Sequence, residues 1–390
     1  MKESLNRNTP LRVAIGSQLF LPYTQSWIYR QMKEPNLGVA LVVCNEKEND
    51  TIFPFDHIEV VPPKPLWMRK IEYKLSPVLK HVPFFVSAKK YAGYYRALFK
   101  HKINLFHVHF GVMAVEVMRV CEALHIPLLV TFHGYDITAA VKRNPSYHKA
   151  LVKLFSKMKL GIAISEEMKT RLIQLGCPAD KIIVSYLGIP IDEFSFVDRS
   201  DRSGKVKFLH AGRITRTKGV PDVVRAFSQE FTAQDDVELV LVGDGEDKNT
   251  VLQLIQSSKV KDKIRFLGRL SNEALLEVRK ECDVFVLNSR TPESGDKEGL
   301  PIAILEASCV GMPVISTFHA GIAEGVLHEH TGLLVEEFDT KALAEAMRKL
   351  CNRNLRLSYG ASGRKYMEDT FELNACNSFL HSVYQKAIQS

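Results

Sequence analysis

The sequence predicts an α/β protein built as two domains, each a doubly wound parallel sheet. Three observations lead there. Short β-rich runs alternate with longer helical patterns along the whole chain. Several of those runs are apolar on both faces, as strands covered by helices on two sides must be. At 390 residues the chain is also too long for one ordinary core, and two domains are the default.

In the first half the strand runs are "LRVAIG" (11–16), "GVALVVC" (38–44), "INLFHVH" (103–109), "IPLLVTF" (126–132), "LGIAIS" (160–165) and "KIIVSY" (181–186). In the second they are "VKFLHAG" (206–212), "VELVLVG" (237–243), "KIRFLG" (263–268), "DVFVLN" (283–288), "MPVIST" (312–317) and "GLLVE" (332–336). The polar, turn-rich "IDEFSFVDRSDRSGKV" (191–206) is the expected joint, which sets the domains at 1–198 and 199–370. The end, about 371–390, reads as a helix. Two such domains leave a cleft where the strand ends of both sheets face one ligand.

Hydrophobic content of 46% and charged content of 25% exclude a disordered or fibrous chain. No apolar run is long enough for a membrane-spanning helix, and the opening "MKESLNRNTPLRVAIG" has no long apolar stretch of a secretory signal. The seven cysteines are scattered without a C-x-x-C pair, which suits unbridged thiols in a reducing cytoplasm and argues against structural zinc. The net charge of +8 is concentrated: ten Lys/Arg lie between Lys64 and Lys102 against one acid, Glu72. Trp67, Tyr73, Phe84, Phe85, Tyr91, Tyr94, Tyr95 and Phe99 are interleaved with them. Segment 64–102 reads either as a solvated helical face or as a surface for anionic lipid on a membrane. Nucleic acid is not expected, because no recognition motif accompanies the charge.

The chemistry concentrates in the second half. "HAGRITRTKG" (210–219) ends a strand, turns through Gly212, carries Arg213 and Lys218, and leads through Gly219 into a helix. Cations, main-chain N–H groups and a helix N-terminus then converge on one anion. "VGDGE" (242–246) repeats the strand-to-turn pattern at Gly243, and Arg269 and Leu270 in "FLGRLSNEAL" stand where main chain borders a flat base. In "KEGLPIAILEAS" (297–308) Pro301 suits a first helical turn. The N–H groups of Gly299, Leu300 and Ile302 would then face phosphate. Glu298 lies just outside that helix, and Glu306 sits one turn below its mouth, where the two hydroxyls of a ribose would satisfy a buried carboxylate. In the first half, "TFHGYD" sets His133, Tyr135 and Asp136 at a strand end, and Gly16 opens the first strand-to-helix loop, followed by Ser17 and Gln18.

These segments, in this order, resemble the retaining nucleotide-sugar glycosyltransferases of family 4. The resemblance spans essentially the whole chain and rests on "GRITRTKG", "VGDGE", "FLGRLSNEAL", "EGLPIAILEASCVGMPVIST" and "HTGLLVEEFD". "LPYTQSWIYRQ" and "TFHGYD" are similar to the branch that makes bacterial exopolysaccharides and lipopolysaccharides. The resemblance implies a GT-B architecture: two Rossmann-like domains, with the acceptor on the first, the nucleotide sugar on the second, and the last helix returning to the first. It implies that Arg213 and Lys218 bind the diphosphate, Glu306 the ribose, Glu298 the donor sugar, and that His133 stands near the transferred sugar. Gly16, Gly212, Gly243, Arg269, Leu270, Gly299 and Leu300 would line the donor. Gln18, Tyr135 and Asp136 would face the acceptor, a glycan or glycolipid. No metal or other cofactor is expected, and a UDP-sugar is favoured over a GDP-sugar. One departure stands out: many relatives have a Gly-Gly pair in the first loop, where this chain has Gly16 followed by Ser17. A soluble small-molecule acceptor, a sugar-nucleotide epimerase and a non-catalytic nucleotide-sugar binder are the competing readings.

Overall fold

The computed structural model describes residues 10–22, 25–49, 51–62 and 87–389. The chain divides into two units, Met1–Gly188 with Asn374–Ser390, and Ile189–Leu373. The division falls ahead of the expected joint at 198/199. The reason is hydrogen bonding: Ile189 N–H donates to Phe371 O at 2.7 Å, Val197 N–H to Val310 O at 3.3 Å, and buried Arg199 Nε to Cys282 O at 2.9 Å. Residues 189–199 are thereby fastened into the second unit.

The first unit holds β1 (Val13–Phe20), β2 (Val39–Lys47), β3 (Ile58–Val60), β4 (Leu105–His109), β5 (Leu128–Phe132), β6 (Leu160–Ala163) and β7 (Ile182–Val184). Every pairing is parallel, in the order β3-β2-β1-β4-β5-β6-β7. The strand order reverses between β1 and β4. Among the described residues the sheet has seven strands rather than the expected six, because β3 pairs at the edge beside β2. Only three residues long and running into Pro62, β3 carries too little pattern to stand out from a loop. Ser165 and Asn144 cap the helices Glu166–Gln174 and Pro145–Lys157 through their side-chain oxygens. The last helix, Leu373–Gln389, buries Leu380, Val383, Tyr384 and Ala387 in the first unit's core.

The second unit holds β8 (Val206–Ala211), β9 (Val237–Val242), β10 (Ile264–Gly268), β11 (Val284–Val286), β12 (Val314–Thr317) and β13 (Gly332–Val335). Its parallel order is β10-β9-β8-β11-β12-β13, so the switch point lies between β8 and β11. Ser271 caps the helix Asn272–Glu281, accepting from Ala274 N–H at 3.2 Å. Two glycines let the turns after these strands close up. Gly219, at φ +60°, has no room for a Cβ, which would lie 2.2 Å from Asn288 O at the end of β11. Gly243, at φ +146°, would place a Cβ 1.9 Å from Gly212 O. Only glycine tolerates both the angle and the approach. Among the described residues, no helix is long and apolar enough to cross a membrane.

Gly243→Ala is therefore expected to destabilise the second unit by about 2–4 kcal/mol, through strained backbone and a main-chain clash. Urea unfolding followed by circular dichroism checks this. A midpoint equal to wild type would show that the turn can relax.

Candidate functional site

In the second unit the expected donor residues collect at the carboxyl edge of the sheet. Lys218 closes a short 3₁₀ turn, Arg216–Lys218, after β8. Glu298 ends the long loop after β11. Lys218 Nζ and Glu298 Oε2 meet at 3.0 Å, with side chains only 11% and 16% exposed. The pair thus bridges the switch point. Gly212 N–H donates to Val242 O at 3.1 Å and Gly243 N–H to Gly268 O at 2.8 Å, which aligns three successive strand ends. Arg269 and Leu270 follow directly. Arg213 is exposed.

The helix Ile302–Cys309 begins one residue later than expected, with Pro301 as its N-cap and Gly299 and Leu300 buried just before it. Glu306 is not a lone carboxylate. It is ion-paired to Arg279, which is 4% exposed and comes from the helix Asn272–Glu281. Arg279 Nε has no hydrogen-bond partner among the described residues. The helix after Gly219, Val220–Glu230, does not present an empty N-terminus either. Its first turn carries buried Asp222, paired to Arg290 and Arg225. The first turn of that helix thus carries an acid with two cations of its own, and Lys218 and Arg213 lie in the turn just before it.

Sequence reading missed a second network behind Glu298. Its main-chain N–H donates to Nε2 of His319 at 3.1 Å. His319 is fully buried, and its Nδ1 meets Glu337 Oε1 at 2.7 Å. Glu337 Oε2 accepts from Thr291 N–H at 2.7 Å. Burial works to raise the Glu337 carboxyl, but the Thr291 and His319 hydrogen bonds hold it below its ordinary range.

In the first unit, His133 follows β5. Its Nε2 lies 3.1 Å from Nδ1 of His109 at the end of β4, and its ring lies 4.6 Å from Trp27 and 4.5 Å from Phe110. His107, on the same face of β4, bonds through Nδ1 to Tyr384 of the last helix and through Nε2 to Thr131, both at 2.6 Å. Burial pushes the imidazoles of His107 and His133 down to about 3. Tyr135 is 46% exposed.

Two expectations fail here. Asp136 does not face a ligand: fully buried, it accepts from Gly111 N–H at 2.8 Å and from the His133 and Gly134 N–H groups, both at 3.1 Å. It caps the helix Gly111–Leu124 and shapes the His133 turn. Gly16 does not open a loop. β1 runs on through Phe20 and stays paired with β2, so Gly16 and Gln18 lie inside the strand. The space beside Gly16 is filled by Phe106, 2.9 Å from any added Cβ.

Both halves of the chain match known sequence families. Residues 38–193 match Glycosyltransferase Family 4, and residues 192–366 match Glycosyl transferases group 1. The chain belongs to the family 4-like glycosyltransferases of GT-B fold. It is 31% identical over 261 residues to the amylovoran biosynthesis glycosyltransferase AmsK of Erwinia amylovora, covering 66% of this chain and 62% of that protein. It is 30% identical over 248 residues to the putative colanic acid biosynthesis glycosyltransferase WcaL of Escherichia coli K12, covering 63% and 61%. The matches thus span about three fifths of those relatives' lengths. Among solved structures, Anabaena Alr3699/HepE in complex with UDP-glucose superposes with a TM-score of 0.78 at 19% identity, covering 97% of this chain and 100% of that one. This likeness establishes the fold.

Within this glycosyltransferase-family chain, the buried histidines set a pH dependence. Unfolded, His107 titrates near 6.5; folded, near 3. Between those values the unfolded chain binds the extra proton, so stability falls as pH drops through the window, by about 1.4 kcal/mol per pH unit per group. The melting temperature of the first unit is expected to be lower at pH 5 than at pH 7, with a shallower fall in His107→Gln. Equal melting temperatures at the two pH values would refute this.

Proposed function

We propose that the protein is a retaining, metal-independent glycosyltransferase. It moves a sugar from a nucleoside-diphosphate sugar to a lipid-linked or oligosaccharide acceptor in cell-surface polysaccharide biosynthesis. The observation that carries this reading is the mostly buried Lys218–Glu298 pair at the switch point of the second unit. A buried cation held by a carboxylate is a diphosphate seat at rest. The arriving diphosphate takes over Lys218, and Glu298 is left to receive sugar hydroxyls. Arg279 and Glu306 form the corresponding pair for the ribose.

As the bond between the anomeric carbon and the diphosphate oxygen breaks, charge grows on the leaving group. Lys218 and Arg213 stabilise that charge more than the ground state. The acceptor oxygen bonds the anomeric carbon on the same face, and its proton passes to the departing phosphate oxygen. His133 supports this route. With its imidazole pushed down to about 3, it is a poor base and no acid at neutral pH, so it acts as a neutral hydrogen-bond partner. A UDP-sugar is the favoured donor, in keeping with the UDP-glucose bound to HepE. None of the seven cysteines is bridged in a disulfide, which suits a cytoplasmic setting.

The acceptor's lipid is read from the helix Ala88–Lys100. Tyr91, Tyr95 and Phe99 stack along it at 6.4 and 6.0 Å, and Phe99 is 67% exposed. Lys89, Arg96 and Lys102 are exposed, while Lys90 turns inward to Glu116. Aromatic rings flanked by cations suit an anionic membrane surface. The rest of the basic segment, 64–86, lies outside the described residues.

Three outcomes follow. A thermal-shift screen of UDP-, GDP- and ADP-sugars is expected to give one strong stabiliser, and Lys218→Ala to abolish both that shift and transfer with the fold intact. Near-normal turnover in Lys218→Ala would reject the site. Turnover is expected to show no acid limb near pH 6.5 from His133; a limb there that vanishes in His133→Gln would contradict the neutral role. In vesicle flotation with anionic lipid, Tyr95→Ser/Phe99→Ser is expected to bind about tenfold more weakly. Unchanged flotation would remove the membrane from the account.

A further inference from the structure

We propose that His319 is a positioning residue that aims Glu298, with Glu337 fixing its tautomer. A main-chain N–H only donates, so the Glu298 N–H at 3.1 Å requires a lone pair on Nε2 of His319. The ring proton then sits on Nδ1, where it donates to Glu337 Oε1 at 2.7 Å. Glu337 is in turn held by Thr291, from its N–H at 2.7 Å and its hydroxyl at 3.2 Å.

Thr291 lies near the start of the long loop after β11, and Glu298 lies near its end. One His–Glu dyad therefore grips both ends of the loop that delivers Glu298. The dyad itself is rigidly mounted. Phe318 N–H donates to Val335 O at 2.9 Å, and Gly321 N–H to Gly299 O at 3.2 Å. The two residues come from the segments following β12, the strand beside β11, and β13, the next strand out. With its main chain tied to His319, Glu298 projects its carboxylate at Lys218. Loss of the His319 acceptor orphans a half-buried N–H and frees the end of the loop. The diphosphate cation Lys218 is on a different segment and stays in place.

This rests on the reading of Glu298 as the donor-sugar contact, and the tests separate the two. Nitrogen-15 NMR of the histidines in the unliganded protein reads the tautomer without any substrate. Wild type is expected to carry the His319 proton on Nδ1; a proton on Nε2 overturns the inference whatever the enzyme's activity. In kinetics with the donor that wild type accepts, His319→Met is expected to lower kcat about 100-fold. The affinity for the nucleoside diphosphate alone should not fall, since Lys218 keeps its place. His319→Gln, whose amide oxygen can replace Nε2 as acceptor, is expected to recover much of the rate. Should His319→Met not fold, Glu337→Gln is expected to show the same split, a lower kcat with no loss of diphosphate affinity. A kcat near wild type in the folded variants, or equal losses of diphosphate affinity and kcat, would overturn the inference. Absence of any nucleotide-sugar binding by wild type would instead strike at the donor reading, leaving the tautomer measurement to decide the role of His319.

Discussion

The second unit is organised around one buried charge pair, Lys218 with Glu298. Neither charge is stable alone in so dry a place. Removing one partner from such a pair typically costs about 3–5 kcal/mol. In the unliganded protein each is therefore the other's solvent. That constraint gives the site two states. In one the carboxylate satisfies the ammonium. In the other a ligand must supply negative charge to Lys218 and hydroxyl donors to Glu298 together. A nucleoside-diphosphate sugar carries both.

The scaffold makes the pairing possible by close approach of main chains. Gly219 lies against Asn288, so the turn after β8 and the loop after β11 meet at the switch point. Gly243 lies against Gly212 in the same way, which brings the β9 turn alongside. Behind Glu298 the His319–Glu337 dyad holds the loop, and behind Glu306 stands Arg279. Each carboxylate assigned to the donor thus has a partner of its own before ligand arrives. The first unit follows a different principle. Its cluster of His107, His109 and His133 is kept uncharged by burial and joined to the last helix through Tyr384.

Much of this was legible in the sequence. Every strand run that reads as apolar on both faces forms a strand, because burial on two sides leaves a pattern that solvent exposure does not. Edge strand β3 was not legible, being three residues that pair on one side only. The motif residues Lys218, Glu298 and Glu306 were legible as chemistry, but their partners were not. Arg279 is one of two adjacent basic residues in the helix Asn272–Glu281, and His319 is a lone histidine after a strand. Sheet order, rather than spacing, brings them to the carboxylates. Gly16 and Asp136 mislead for a related reason. A glycine at a strand end and an acid in a turn look functional, yet one makes room for Phe106 and the other caps a helix.

If Glu298 competes with the diphosphate for Lys218, removing its charge must help the diphosphate and hurt the sugar. Calorimetric titration of Glu298→Gln with the nucleoside diphosphate and with the matching nucleotide sugar tests this directly. The account predicts tighter binding of the diphosphate than in wild type, together with loss of the advantage that the sugar confers. Weaker binding of the diphosphate, with the sugar's advantage preserved, would contradict it.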